Sequence, residues 1–166
     1  MTLETPFLAA LAGAGGAAIL VAIAGGVLTE LSPWYAGLKK PSWKPPDWAF
    51  GPVWTVILIL AAISVALAWT AAPDAAARGR FITVLVINSI LNIAWSGIFF
   101  KLRRPDWAFY EVVLLWLSIL SLIVVLGGVS TMAGLLMLPY LIWVTTAAVL
   151  NYRIVQLNRP FTRQHG

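Results

Sequence analysis

The sequence has no cysteine, a single histidine (His165), and charged residues at only 10% of its 166 positions. Without cysteine there is no disulfide, no thiolate nucleophile and no Cys-ligated metal. One histidine in a polar C-terminal stretch leaves a metal or redox centre of the usual kind without ligands. Soluble domains carry about 25% charged residues, so this chain lacks the polar surface that water solvation requires. The N-terminus also lacks the basic region and cleavage site of a signal peptide. Only Glu4 precedes the first apolar run, which is expected to be retained.

What is present is apolar mass, 61% of the residues, with nine tryptophans. A bilayer-spanning helix needs roughly 20 apolar residues. Five segments meet that length: residues 7–28, 50–71, 81–100, 107–126 and 132–157. The expected fold is therefore all-α, a single domain over residues 1–166 forming a five-transmembrane-helix bundle with a long structured first loop. The formal charge of +5 does not point to nucleic acid, because the cations lie between apolar segments rather than on a soluble face. Of the 11 Lys and Arg residues, Arg78 and Arg80 fall on one side of the membrane. The other nine fall in the first loop, the third loop and the C-terminal end. The positive-inside rule then places the N-terminus outside and the C-terminus in the cytoplasm, which an odd number of spans requires.

The first segment carries Ala10, Ala14, Ala18, Ala22 and Gly26 at every fourth position. Such a ridge allows close helix approach in lipid, either within the bundle or at a homodimer seam. The first loop, residues 29–49, is interrupted by Pro33, Pro41, Pro45 and Pro46 and holds Trp34, Tyr35, Trp43 and Trp48. It is either an interfacial aromatic belt or an ordered lid over one mouth of the bundle. The pentapeptide Pro-Asp-Trp-Ala-Phe occurs at residues 46–50 and again at 105–109, each time opening a helix on the basic side. There the Asp opposes the helix dipole and the Trp sits at headgroup level. Pro139 is expected to bend the fifth helix near its start.

Five of the six carboxylates lie in loops or at helix ends; Glu111 lies about one turn inside the fourth helix. It is either a functional intramembrane charge or a snorkelling partner of Arg103 or Arg104, and the latter is the expectation. Paired-acid catalysis is not indicated. The central polar groups are amides sharing faces with aromatics: Asn88, Asn92, Trp95 and Phe99 on the third helix, and Tyr140, Trp143, Ala147 and Asn151 on the fifth. Since an unpaired amide in lipid is costly, both faces point into the bundle. They serve either interhelical hydrogen bonding or, with Trp54 from the second helix, a flat apolar slot with polar anchors. Trp95 and Trp143 lie deeper than interfacial anchoring requires, and large π-surfaces stack on flat ligands.

The run from Trp34 to Pro46, Trp-Tyr-Ala-Gly-Leu-Lys-Lys-Pro-Ser-Trp-Lys-Pro-Pro, continuing to Phe50-Gly51-Pro52-Val53-Trp54, resembles the first loop of the TspO family. These are the tryptophan-rich sensory proteins, also called translocator proteins or peripheral benzodiazepine receptors. Leu91-Asn92 with Trp95 and Phe99-Phe100, and Pro139-Tyr140-Leu141 with Trp143, Ala147 and Leu150-Asn151-Tyr152, extend the resemblance over all five segments. It implies a bundle, commonly dimeric, whose cavity binds porphyrins and synthetic isoquinoline or benzodiazepine ligands beneath the first loop. The ligand residues would be Trp54, Asn92, Trp95, Phe99, Tyr140, Trp143 and Ala147, with Trp34, Trp43, Lys39 and Lys40 in the lid. The aliphatic-Tyr-basic pattern proposed for cholesterol is not met around Tyr152, where Arg153 is adjacent and Arg159 too distant.

The expected function is binding of a tetrapyrrole, such as protoporphyrin or a haem-like ring, as a ligand, with no cofactor. Its propionates would be drawn toward Lys39, Lys40 or Lys44. The protein would act as sensor or transporter, lodged in a bacterial inner membrane. The alternative is an enzyme promoting light-dependent oxidative degradation of protoporphyrin, resting on the photochemistry of the ring because no dedicated acid, base or metal motif is present. A third possibility is a packing subunit of a larger complex.

Overall fold

The computed structural model describes residues 4–161; His165 and Arg163 lie outside them. Seven α-helices follow in order: α1 Glu4–Leu28, α2 Pro33–Gly37, α3 Asp47–Ala71, α4 Ala75–Ser96, α5 Pro105–Gly127, α6 Thr131–Leu136 and α7 Leu138–Asn158. A π-helical turn, Gly97–Lys101, closes α4. Five units are long and apolar enough to span a bilayer: α1, α3, α4 with its π-turn, α5, and α6 with α7. The five expected spans are thus present, and the described residues contain no strand.

Local chemistry sets the helix ends. Ser32, Asp74 and Ser130 are N-caps whose side chains accept from the backbone N–H three residues on. Pro105 and Pro139 sit in the first turns of α5 and α7, where a missing N–H costs little. Pro139 accordingly marks a break: the fifth span is two helices joined at Met137. Neither Asp47 nor Asp106 is an N-cap; both lie in the first helical turn, opposing the dipole as expected.

Helix α5 is central, packing against α4, α6 and α7, while α1 lies mainly against α3. The core is made by Val112, Leu115, Ile119 and Leu122 of α5 with Phe81, Met137, Tyr140 and Val144. Helix α1 buries no residue fully. Its half-buried positions Ala10, Ala14, Ala18, Val21 and Gly25 turn inward, whereas Ala22 and Gly26 are exposed. A spacing of four drifts off the 3.6-residue face, so only the first part of the small-residue ridge packs inside the bundle.

Crossing of α5 and α6 depends on glycine. A Cβ on Gly134 would lie 2.9 Å from Gly127 Cα and 3.2 Å from the Ile123 carbonyl oxygen. Ser64 of α3 secures the same corner by donating to the Ala133 carbonyl at 2.6 Å. This corner holds the start of α7, and hence Tyr140, at a fixed depth.

Candidate ligand site

Helices α3 and α7 meet chiefly through aromatic rings rather than close backbone approach. Trp54 of α3 stacks edge-on against Tyr140 of α7, centroids 5.7 Å apart, and Phe50 against Trp143 at 5.3 Å. From α4, Trp95 lies 5.1 Å from Phe99 of the π-turn, tilted by 30°. Tyr140 and Phe99 are buried; Trp54, Asn92, Trp95, Trp143 and Ala147 are half-buried. The inserted residue of the π-turn brings both Phe99 and Phe100 inward at 2% and 7% exposure, where a regular helix separates neighbours by 100°.

A ladder of polar side chains crosses the interior. Asn92 Nδ2 donates to the Tyr140 hydroxyl at 2.8 Å, and that hydroxyl donates to Asn88 Oδ1 at 3.2 Å. Asn88 Nδ2 donates to Ser118 Oγ on α5 at 2.9 Å, and Ser118 donates to the Leu115 carbonyl. Closer to the basic end, Trp95 Nε1 donates to Asn151 Oδ1 at 3.1 Å and Asn151 Nδ2 to the Pro105 carbonyl at 2.8 Å. Of the two roles weighed for these faces, the amides fill the first: they bond across helices, and by doing so they hold Trp95 and Tyr140 in orientation.

The first loop is ordered over this end. Tyr35 of α2 is buried against Phe99 and Phe100, with centroids at 6.4 and 5.4 Å, and donates to Asp47 Oδ1 at 3.3 Å. Trp34 stacks edge-on against Phe99 at 6.2 Å. Lys40 folds back, its Nζ donating to the Tyr35 and Leu38 carbonyls at 2.5 and 3.1 Å and lying 4.3 Å from the Tyr35 ring. Lys44 pairs with Asp47 at 2.5 Å. Lys40 and Lys44 are thus committed to the loop itself, while Lys39 and Trp43 remain exposed.

Asn158 at the end of α7 clasps the loop: the Lys39 N–H donates to Asn158 Oδ1 at 2.9 Å, and Asn158 Nδ2 donates to the Lys39 carbonyl at 2.8 Å. Sequence reasoning missed Asn158, although it follows Asn151 by two turns on the same face. Two bonds of about 0.5–1.5 kcal/mol each predict that Asn158→Ala raises loop opening roughly tenfold or more, measurable as faster proteolysis at Lys39 or Lys40.

Burial first, then the Asp47 carboxylate, push the Tyr35 hydroxyl up to about 12 from its ordinary 10.0. A raised value contributes stability that is complete below 10.0 and lost as pH climbs through 12. Loop docking should therefore weaken over that interval, and Tyr35→Phe should remove that part of the alkaline transition in a tryptophan-fluorescence titration. Burial, and then Lys44, lower the Lys40 ammonium from its usual value.

Glu111 departs from expectation. It does not snorkel and pairs with neither arginine: its side chain is turned inward at 8% exposure, with no hydrogen-bond partner for either oxygen among the described residues. Arg104 instead forms a bidentate pair with Asp106 and lies 4.2 Å from the Trp107 ring. Glu111 is on the inward stripe of α5 with Ala108 and Leu115, which is why it cannot reach the headgroups.

At the opposite end of the bundle, a groove of about 1220 Å³ opens between α1, α3 and α4, with Ala14, Ala17, Trp69, Arg78 and Ser89 among its walls. The seven expected ligand residues do not line it.

The fold and interior define an integral membrane protein in which α3, α4 and α7 meet through aromatic rings, crossed by hydrogen-bonded amides and covered by an ordered loop. The chain belongs to the TspO/MBR family, whose profile matches residues 14–157. It is 37% identical over 145 residues to the "Tryptophan-rich protein TspO" of Chlorobaculum tepidum, covering 86% of this chain and 92% of that protein. It is 36% identical over 149 residues to "Protein CrtK" of Rhodobacter capsulatus, covering 87% and 93%. Its identity to the human "Translocator protein" is 35% over 120 residues, covering 72% and 71%.

Proposed function

We propose that this protein binds porphyrins, and synthetic isoquinoline or benzodiazepine ligands, in the slot between α3, α4 and α7, and so contributes to tetrapyrrole regulation or stress sensing. The observation that carries this reading is the convergence of Trp54, Trp95 and Trp143, with Tyr140 and Phe99, around a place where α3 and α7 are bridged by rings. Flat π-surfaces backed by fixed polar groups suit a large planar ligand. The loop held by Asn158 is its lid, and opening of the lid is its entry step. With Lys40 and Lys44 engaged in the loop, propionates would be met by Lys39. The bilayer is the bacterial inner membrane, with the N-terminus outside and the C-terminus cytoplasmic, supported by the split of cations between the two ends. A homodimer is the proposed assembly, supported by family membership and testable by light scattering in detergent.

Titration with protoporphyrin, followed by quenching of tryptophan fluorescence, tests the site. Trp143→Ala and Trp54→Ala should each weaken binding about tenfold or more, on the scale of the 1–3 kcal/mol lost when an aromatic stacked on a base is replaced by alanine. Equal affinity in both variants would remove the slot from consideration.

A further inference from the structure

Seven interior side chains near the slot are polar: Asn88, Asn92, Trp95, Ser118, Tyr140 and Asn151 are hydrogen-bonded to one another or to backbone. Glu111 is the exception, more than nine-tenths buried with both carboxyl oxygens unpartnered among the described residues. A buried polar group without a partner costs free energy, and an acid at membrane depth costs more, so its presence requires a compensating role.

Its position is fixed by the helix register. Trp116 Nε1 donates to Thr145 Oγ1 at 2.9 Å and Asn151 bonds the Pro105 carbonyl, so Glu111 lies level with Ala147 and Ala148 of antiparallel α7. The Asn88–Ser118 bond sets α4 against α5; two turns toward the basic end bring Trp95 on one helix level with Glu111 on the other. Glu111 thus stands at the depth of two of the proposed ligand residues. Its nearby cation, Arg104, is taken by Asp106.

We propose that Glu111 is a specificity-determining ligand contact: its carboxyl group, set against the ring face, takes a hydrogen bond from an inner pyrrole N–H of a metal-free porphyrin that saddling tilts out of the ring plane. This rests on the slot being the ligand site. A carboxyl group has acceptor oxygens to satisfy, and a site whose polar group needs a donor discriminates against otherwise identical ligands that lack one.

The test compares metal-free protoporphyrin with its nickel(II) complex, which keeps the ring and propionates, has no inner N–H, and takes axial ligands weakly. Wild-type protein should bind the metal-free ring about tenfold more tightly than the nickel complex. Glu111→Leu should lose that preference while binding the nickel complex within twofold of wild type. The thermal midpoint of the empty variant in detergent should be unchanged or higher, because an unpartnered polar group has been removed from the interior. Glu111→Gln, close in shape, should retain part of the preference through its amide oxygen. Retention of the full preference in Glu111→Leu overturns the proposal. So does a lowered midpoint with equal loss of both ligands, which marks a purely structural residue. Wild-type protein that binds neither ring overturns the porphyrin assignment itself, and this contact with it.

Discussion

Gly134→Ala should destabilise the bundle, and Gly127→Ala should leave it unchanged or slightly firmer, although the two glycines face each other. An alanine in a helix is favoured over glycine by up to about 1 kcal/mol. At Gly134 that gain is outweighed: the added Cβ falls 2.9 Å from Gly127 Cα and 3.2 Å from the Ile123 carbonyl, both backbone atoms of α5 that cannot rotate away. Overpacking of this kind costs about 1–3 kcal/mol, for a net loss of about 1–2 kcal/mol. At Gly127 the nearest atom is at 3.4 Å, ordinary contact, so the helical gain survives. Because α6 leads directly into α7, Gly134→Ala should also shift Tyr140 and weaken the Asn88–Tyr140–Asn92 chain. Thermal unfolding in detergent, followed by tryptophan fluorescence, checks both signs; equal midpoints would mean that the α5–α6 crossing is looser than described.

Asn151→Leu should be the most damaging of the amide substitutions. It strands the Trp95 indole N–H and removes the second of two hydrogen bonds at the Pro105 carbonyl, which keeps its helical bond from the Phe109 N–H, at a position 1% exposed. A stranded group costs about 1–3 kcal/mol in a buried setting, whereas interhelical hydrogen bonds measured in membranes average nearer 0.6 kcal/mol. An overall loss of about 2 kcal/mol lies between these limits. Asn88→Leu should cost less, since Ser118 keeps its bond to the Leu115 carbonyl and Tyr140 keeps that from Asn92. The functional consequence should follow the same order. With its indole no longer held, Trp95 loses its fixed ring plane, so Asn151→Leu should weaken porphyrin binding more than Asn88→Leu does. The reverse order in either stability or affinity would mean that the ladder does not orient the rings.

The spans were legible because lipid imposes a simple rule: about 20 apolar residues without charge form a helix. Proline punctuation showed where the chain leaves the membrane, and the Asn and Trp spacing on α4 and α7 marked the inward faces. Three features were not legible. The bend at Pro139 was expected, but the packing of the short helix before it onto α5 rests on the close approach of Gly127 and Gly134, a tertiary contact that sequence spacing does not reveal. The π-turn after Ser96 is one residue out of helical phase, so the burial of both Phe99 and Phe100 does not follow from a regular helical spacing of 100° per residue. The inward direction of Glu111 was overridden by proximity to Arg103 and Arg104 along the chain, yet position on the α5 stripe decided it. Of the first-loop lysines read as facing anions, Lys40 and Lys44 bond within the loop, a commitment their spacing does not show, while Lys39 remains exposed.

The central claim, that the aromatic cluster between α3, α4 and α7 and not the groove between α1, α3 and α4 is the ligand site, is tested most directly by native mass spectrometry of detergent-released protein saturated with protoporphyrin. Two variants separate the locations: Trp143→Ala alters the slot, and Ala17→Trp fills the groove between α1, α3 and α4. The predicted result is a porphyrin complex retained by Ala17→Trp and lost from Trp143→Ala. A complex retained by Trp143→Ala and lost from Ala17→Trp would contradict the account.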